Sequence, residues 1–255
     1  MTDPSSYSAL ATDFYINQRL ALKMDLPSDR ETILALFDRV RREFPSMTRF
    51  RRFTHELALE STPEQDEGFQ QWIALRRTSV RTGVINPRAP DTYRIHALTL
   101  EIAPYFLSIS PLDVDYLELL YGFDIMAAGN HDAIVFDALL GGSLWAKLAA
   151  PLGPDRAAIP LDCQPSLAIA LSESVDFQAH FEVKTRTSAR AIRTGEFEPQ
   201  PISLYLTLRK YGSIADVREL AATLQSIAKA GEELLDSRVV PHFVMPIRQA
   251  VGSTD

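Results

Sequence analysis

The phrase R-T-S-x-R is written twice in this chain, as Arg77 to Arg81 and as Arg186 to Arg190. A guanidinium, a hydroxyl and a second guanidinium at alternate positions suit an anion. Arginine offers paired donors to a carboxylate or phosphate, and serine adds a third. The expected anion- or partner-binding residues are therefore Arg77, Ser79 and Arg81, with Arg186, Ser188, Arg190 and the nearby Arg193. A second kind of chemistry is carried by Gly129-Asn130-His131-Asp132. His131 and Asp132 at a helix start could bind an anion or act as acid and base. The same residues equally make a helix cap with an acid in the first turn. His180 is the other acid–base candidate.

Nothing else in the sequence amounts to a mechanism. The five histidines, His55, His96, His131, His180 and His242, have no metal-ligand spacing, so no metal site is expected. There is no phosphate loop, no dinucleotide fingerprint and no nucleophile elbow, and no cofactor is expected. Cys163 is the single cysteine, which leaves no intrachain disulfide and reads as a buried thiol. Asp113, Asp115, Glu118 and Asp124 cluster around one apolar stretch, where they read as the wet side of a sheet.

Hydrophobic period suggests the elements that hold these residues. Residues 15–26 alternate as a strand, and 28–44 form a helix with Ser28 and Glu31 at capping-box spacing and a stripe of Ile33, Leu36, Phe37 and Val40. Three strands are expected next, at 49–60, 71–82 and 93–102. The pattern then restarts: a strand at 114–126, a helix opened by Asn130 and broken near Gly141-Gly142, and strands at 166–173, 176–191 and 201–211. This predicts an α+β protein, an internal duplication of a β-α-β-β-β unit forming a large antiparallel sheet with helices on one face, plus a C-terminal helix capped by Ser213. Its parts are a flexible N-terminus at 1–12, repeat 1 at 13–110, repeat 2 at 111–212 and a C-terminal helical segment at 213–255. Each R-T-S phrase should end a long strand, with both arginine rows on one polar face at ~7 Å spacing. Gly83 and Gly195 would then take a positive φ in the turn beyond.

Composition sets limits. With 255 residues and 46% hydrophobic residues the chain can bury a large core, and a net charge of −7 argues against general affinity for nucleic acid or membranes. The charge is uneven: residues 39–94 balance at +4, residues 101–180 at −9 and residues 184–210 at +4. The N-terminal residues do not read as a secretory signal and no apolar run suits a membrane span, so a cytoplasmic protein with no membrane contact is expected.

The stretches Y-F-L-S-I-S-P-L-D-V-D-Y-L-E-L-L-Y-G-F-D (105–124) and I-S-L-Y-L-T-L-R-K-Y-G (202–212) resemble uncharacterised conserved proteins of planctomycete-type bacteria. That resemblance implies no activity. The duplicated pattern is similar, in architecture alone, to sliding clamps and the TATA-box-binding saddle, a likeness that carries no function. The expected function is a non-catalytic binding or assembly protein that uses a basic sheet face to engage an acidic protein, a polyanion or a small anion, with a homodimer as a further expectation. The alternative is a small-molecule or anion-binding enzyme with a pocket between the repeats. A concave cleft with convergent polar groups would favour the enzyme.

Overall fold

Strict alternation makes Asp13–Leu22 (β1) the innermost strand of the sheet: Phe14, Ile16, Gln18 and Leu20 are buried while Tyr15, Asn17 and Arg19 are half-exposed. The structure, a computed structural model, describes residues 4–27, 29–62, 68–89, 91–153, 158–212 and 214–252. After β1 come α1 (Arg30–Glu43), β2 (Met47–Arg52), β3 (Glu56–Ser61), β4 (Gln70–Arg76), β5 (Ser79–Ile85) and α2 (Arg94–Phe106). The chain continues with β6 (Val114–Ala127), α3 (His131–Leu139), α4 (Trp145–Leu148), β7 (Ser166–Ala170), β8 (Phe177–Lys184), α5 (Ala189–Thr194) and β9 (Gln200–Tyr211). Helix α6 (Leu220–Leu234) runs through a π-helical stretch at Leu235–Val244 into α7 (Met245–Gly252).

The nine strands form one antiparallel sheet in the order β2-β3-β4-β5-β1-β6-β9-β8-β7, so the expected α+β class with a large antiparallel sheet and a C-terminal helix is what the chain adopts. Outward from the central β1/β6 pair the order is β5-β4-β3-β2 on one side and β9-β8-β7 on the other. The helices pack against one side of the sheet. Tyr121 on β6 presses against Gly231 of α6, Thr82 on β5 meets His96 of α2, and Phe181 on β8 stacks on Phe243 at 4.3 Å. The core is Phe14, Ile16, Leu20, Leu36, Phe37, Leu119, Tyr121, Phe123, Leu204 and their neighbours, all nearly inaccessible. No described helix is long and apolar enough to cross a membrane.

Several local expectations are corrected. Residues 93–102 are not a strand. Buried Ile95, Thr99, Leu100 and Ala103 repeat at helical period, which the following Ala103 and Pro104 make plain and the ten-residue window did not. Residues 49–60 are a hairpin, closed where Phe53 N donates to Glu56 O (2.8 Å), at a turn with neither glycine nor proline to announce it. The N-terminus is not loose throughout: Pro4–Leu10 is a 3-10 helix whose Tyr7 packs edge-on to Phe14 (5.5 Å) and Phe123 (6.1 Å). Helix α1 is capped by Asp29, which accepts from Thr32 N. The expected caps Ser28 and Ser213 lie outside the described residues.

The helix side also buries a polar chain. Thr82 Oγ1 donates to Gln18 Oε1 (2.8 Å) and lies 2.6 Å from His96 Nδ1, which is therefore the protonated nitrogen of a neutral ring. His96 Nε2 is buried without a partner, and burial lowers the pKa of this histidine to about 3. The unfolded chain takes up a proton near the ordinary 6.5 that the folded protein refuses. Stability is therefore lost as pH falls from about 6.5 toward 3, at up to ~1.4 kcal/mol per pH unit. Denaturant titrations at pH 7.5 and 5.0 should show a larger acid loss for the wild type than for His96→Gln. Equal losses would remove His96 as the source.

Candidate functional site

The sheet face turned away from the helices carries the polar half of every alternating strand. One register row crosses it as Arg51–Ala58–Ala74–Arg81–Arg19–Glu118–Arg209–Gln178. The flanking row on one side brings Glu56, Arg76, Ser79, Ala21, Tyr116 and Tyr211 together, the one on the other side Glu60, Trp72, Gly83, Asn17, Leu120, Thr207 and His180, and the row beyond that Tyr15, Gly122, Tyr205 and Glu182. Two glycines let rings lie flat here. A Cβ on Gly83 would meet the Trp72 ring at 2.3 Å, and one on Gly122 would meet the Tyr15 ring at 2.2 Å. Gly83 is thus a strand residue under an indole, not the positive-φ turn expected; Gly195, at φ 72°, is.

Cations and rings interleave at the centre. Arg209 lies 4.5 Å from the Tyr116 centroid and 5.6 Å from that of Tyr211, Arg19 lies 5.5 Å from Tyr116, and Arg81 lies 5.7 Å from Trp72. Carboxylates hold most of the guanidinium groups. Glu56 pairs with Arg76 (2.5 Å) and more loosely with Arg81 (3.5 Å), Glu60 with Arg51 (3.0 Å), and Glu118 with Arg209 (2.8 Å to Nε). Arg19 is different. It is half-buried, stands between Arg81 and Glu118, makes no ion pair among the described residues, and its buried Nε has no partner. Burial, then the neighbouring Arg76, lowers the pKa of Arg81, with Arg19 adding to the effect. Four arginines against Glu56 and Glu118 leave this centre positive.

The twin arginine rows do not form. Arg77 sits in the β4–β5 turn and donates from Nε to Asp25 (2.8 and 2.9 Å), and Ser79, on the same side of β5 as Arg81, is buried opposite Ala21, so Arg81 is the one residue of this phrase that is open on the face. In the second phrase β8 stops at Lys184. The Ser188 hydroxyl accepts from Ala191 N (3.1 Å) and starts α5, which carries Arg190 and Arg193 off the sheet. A capping serine wins over strand continuation there. Arg186 folds back over the end of the face and donates to Pro201 O and to Ser203 Oγ (2.9 Å). The first phrase thus spans the β4–β5 turn and the start of β5, whereas the second lies wholly in the β8–β9 connection.

The second phrase and His131 line one open hollow of about 360 Å³, which Glu196 and Glu198 also line. All its residues fall between 129 and 200, so it lies within one half of the chain and not between the halves. Both nitrogens of His131 are committed: Nδ1 accepts from Arg186 N (3.4 Å), leaving Nε2–H to donate to Ala127 O (3.1 Å). Burial lowers its pKa, which favours this neutral tie. Asp132 Oδ1 accepts from Cys163 N (2.9 Å) and Thr185 Oγ1 (2.7 Å), while Oδ2 is buried without a partner. These contacts make His131 and Asp132 braces between α3 and the segments beside it. Burial, reinforced by Asp132 and Asp162, pushes the Cys163 thiol up to about 11, away from thiolate chemistry. His180 Nε2 meets Ser166 Oγ at 2.8 Å on exposed strands, with no carboxylate behind the ring among the described residues. No group of three or more His, Cys, Asp or Glu among the described residues could hold a metal ion.

Sequence reasoning missed Trp72, Tyr15, Tyr116, Tyr205, Tyr211 and Arg19. The signal was present in the alternating Tyr15, Asn17, Arg19 and Tyr205, Thr207, Arg209, Tyr211, where aromatic residues fall on the polar phase. No family model matches the chain, and no curated protein matches it.

The flat rings yield a direct check on the face. Gly122→Ala should cost ~1–3 kcal/mol by overpacking against Tyr15. Adding Tyr15→Ala should recover part of that loss, giving clear non-additivity in a double-mutant cycle. Additive losses would mean that the ring does not lie over the glycine.

Proposed function

We propose that the protein is a non-catalytic binding or assembly module that engages an acidic partner surface or anion through the centre of its helix-free sheet face. The observation that carries this reading is Arg19, a half-buried guanidinium without an ion pair among the described residues, beside Arg81 and among Tyr116, Trp72 and Arg209. A partially desolvated cation in such a place gains from an incoming carboxylate or phosphate. Trp, Tyr and Arg are also the side chains that concentrate binding energy at interfaces. The ion pairs around Arg19 hold its neighbours in place, so little side-chain freedom remains to be lost. The enzyme alternative has less support, because His131, Asp132 and His180 bond to protein groups and do not converge on a common atom. The proposal takes the two halves as copies of one β-α-β-β-β unit, with β2 an addition to the first.

Poly-L-glutamate and inorganic polyphosphate are suitable probes. Binding of one or both should fall at least 10-fold between 50 and 500 mM NaCl, as exposed charge attraction is screened. Arg19→Gln/Arg81→Gln should abolish it with little change in melting temperature. Arg77→Glu/Arg186→Glu should leave most of it, since those residues lie outside the centre. Binding that survives the first double variant, or no binding at low salt, would overturn the proposal.

A further inference from the structure

The two outer strands of the sheet are finished differently. Strand β2 carries Arg49, Arg51 and Arg52, the kind of charge that keeps an edge from pairing with another chain. Strand β7 reads Ser-Leu-Ala-Ile-Ala, with no charge, no proline and no bulge, and all five residues are exposed. Its phase is fixed at both ends: Val183 N donates to Pro165 O (3.0 Å) and Leu171 N donates to Phe177 O (2.7 Å). Positions 165, 167, 169 and 171 therefore face β8, and the backbone N–H and C=O of Ser166, Ala168 and Ala170 point outward. Among the described residues nothing pairs with them.

An apolar surface adjoins this edge. Trp145, Leu148 and Ile159 line a hollow that reaches Ser166, and with Leu144, Leu167 and Ile169 they are between 36% and 78% exposed. These six side chains leave on the order of 700 Å² open, close to the ~800 Å² that each partner buries in a standard stable interface. A monomer seldom leaves so much large apolar surface beside an unpaired edge.

We propose that β7 pairs antiparallel with β7 of a second copy of this chain, across a twofold axis at Ala168, making one continuous sheet through the dimer. The sequence of the strand is self-complementary in that register. Ala168 faces its own copy, Ser166 faces Ala170, and Leu167 faces Ile169, so no charges oppose one another and no side chain is too large for the small-residue side. The outward groups of Ser166, Ala168 and Ala170 exchange hydrogen bonds in pairs, and Leu167 and Ile169 close over the axis on the helix side. This surface is separate from the central arginine face, which the dimer leaves open.

Analytical ultracentrifugation tests the proposal. The wild type should sediment at twice the monomer mass at tens of micromolar. Ala168→Pro removes an outward N–H without taking a bond from the β7–β8 ladder, and it should weaken association at least 10-fold with the melting temperature little changed. Leu167→Lys should do the same, and it keeps the test sound if the proline variant fails to fold. Ala168→Cys in a Cys163→Ser background should give a disulfide-linked dimer on mild oxidation, since paired residues in such a ladder sit ~5.5 Å apart at Cα, within disulfide reach. A wild type that stays monomeric at 200 µM would overturn the proposal. So would a dimer that Ala168→Pro and Leu167→Lys both leave intact and Ala168→Cys does not cross-link.

Discussion

Pairing of β1 with β6 sets the register for everything on either side. These strands match from Asp13 against Asp124 to Ala21 against Tyr116, and each also carries one outer wing of the sheet through β5 or β9. Because side chains alternate with a period of two, a slip of one residue would bring Arg19 and Glu118 into the core and push Phe14 and Phe123 out. Tyr7, Phe14 and Phe123 form one aromatic contact over this pair, and Tyr121 locks it to the C-terminal helix. Its hydroxyl donates to Ala228 O (3.3 Å) and lies 2.9 Å from Tyr93 Oη, which donates to Glu232 (2.8 Å). Sheet, α2 and α6 thus meet at one buried polar knot, and burial raises the pKa of both tyrosines well above the ordinary value.

That register leaves the two faces with different duties. On the helix side buried polar groups bond to one another, as in the Gln18–Thr82–His96 chain, although Gln18 Nε2 and His96 Nε2 at its ends have no partner among the described residues. On the open side the same alternation forces charge into neighbouring strands, and like charges side by side are unfavourable. Glu56, Glu60 and Glu118 relieve that repulsion where they can reach. They form no ion pair with Arg19, which sits directly opposite Arg81 in the central row. That Arg19 has no ion pair among the described residues is thus a consequence of where the strands lie, not of any one loop.

Legibility in the sequence followed the length and purity of each pattern. Strands β1, β6 and β9 alternate over ten or more residues, and α1 carries a clean stripe of Ile33, Leu36, Phe37 and Val40, so those elements were readable. Helix α2 was not, because Tyr93, Ile95, Ala97 and Thr99 alternate as convincingly as they repeat at helical period. The second R-T-S phrase misled for another reason. Identical words suggested identical conformation, but Ser79 lies inside a strand while Ser188 caps a helix. The aromatic content of the open face stayed hidden because alternation within one strand does not say which rings meet across strands. Only the cross-strand register showed Trp72 lying over Gly83 and Tyr15 over Gly122.

The same geometry supports the proposal of a binding role over a catalytic one. Catalytic groups must converge on one reacting atom within hydrogen-bond distance. A flat sheet spreads its side chains at strand spacing and points them in parallel, which suits recognition of an extended surface. Convergence would have to come from connections rising above the face, and the β8–β9 connection puts its polar groups to internal use. Thr187 Oγ1 accepts from His131 N (2.7 Å), Arg186 reaches back to Ser203, and Ser188 caps its own helix. What remains available to another molecule is the row those connections leave uncovered, from Arg81 through Arg19 to Arg209.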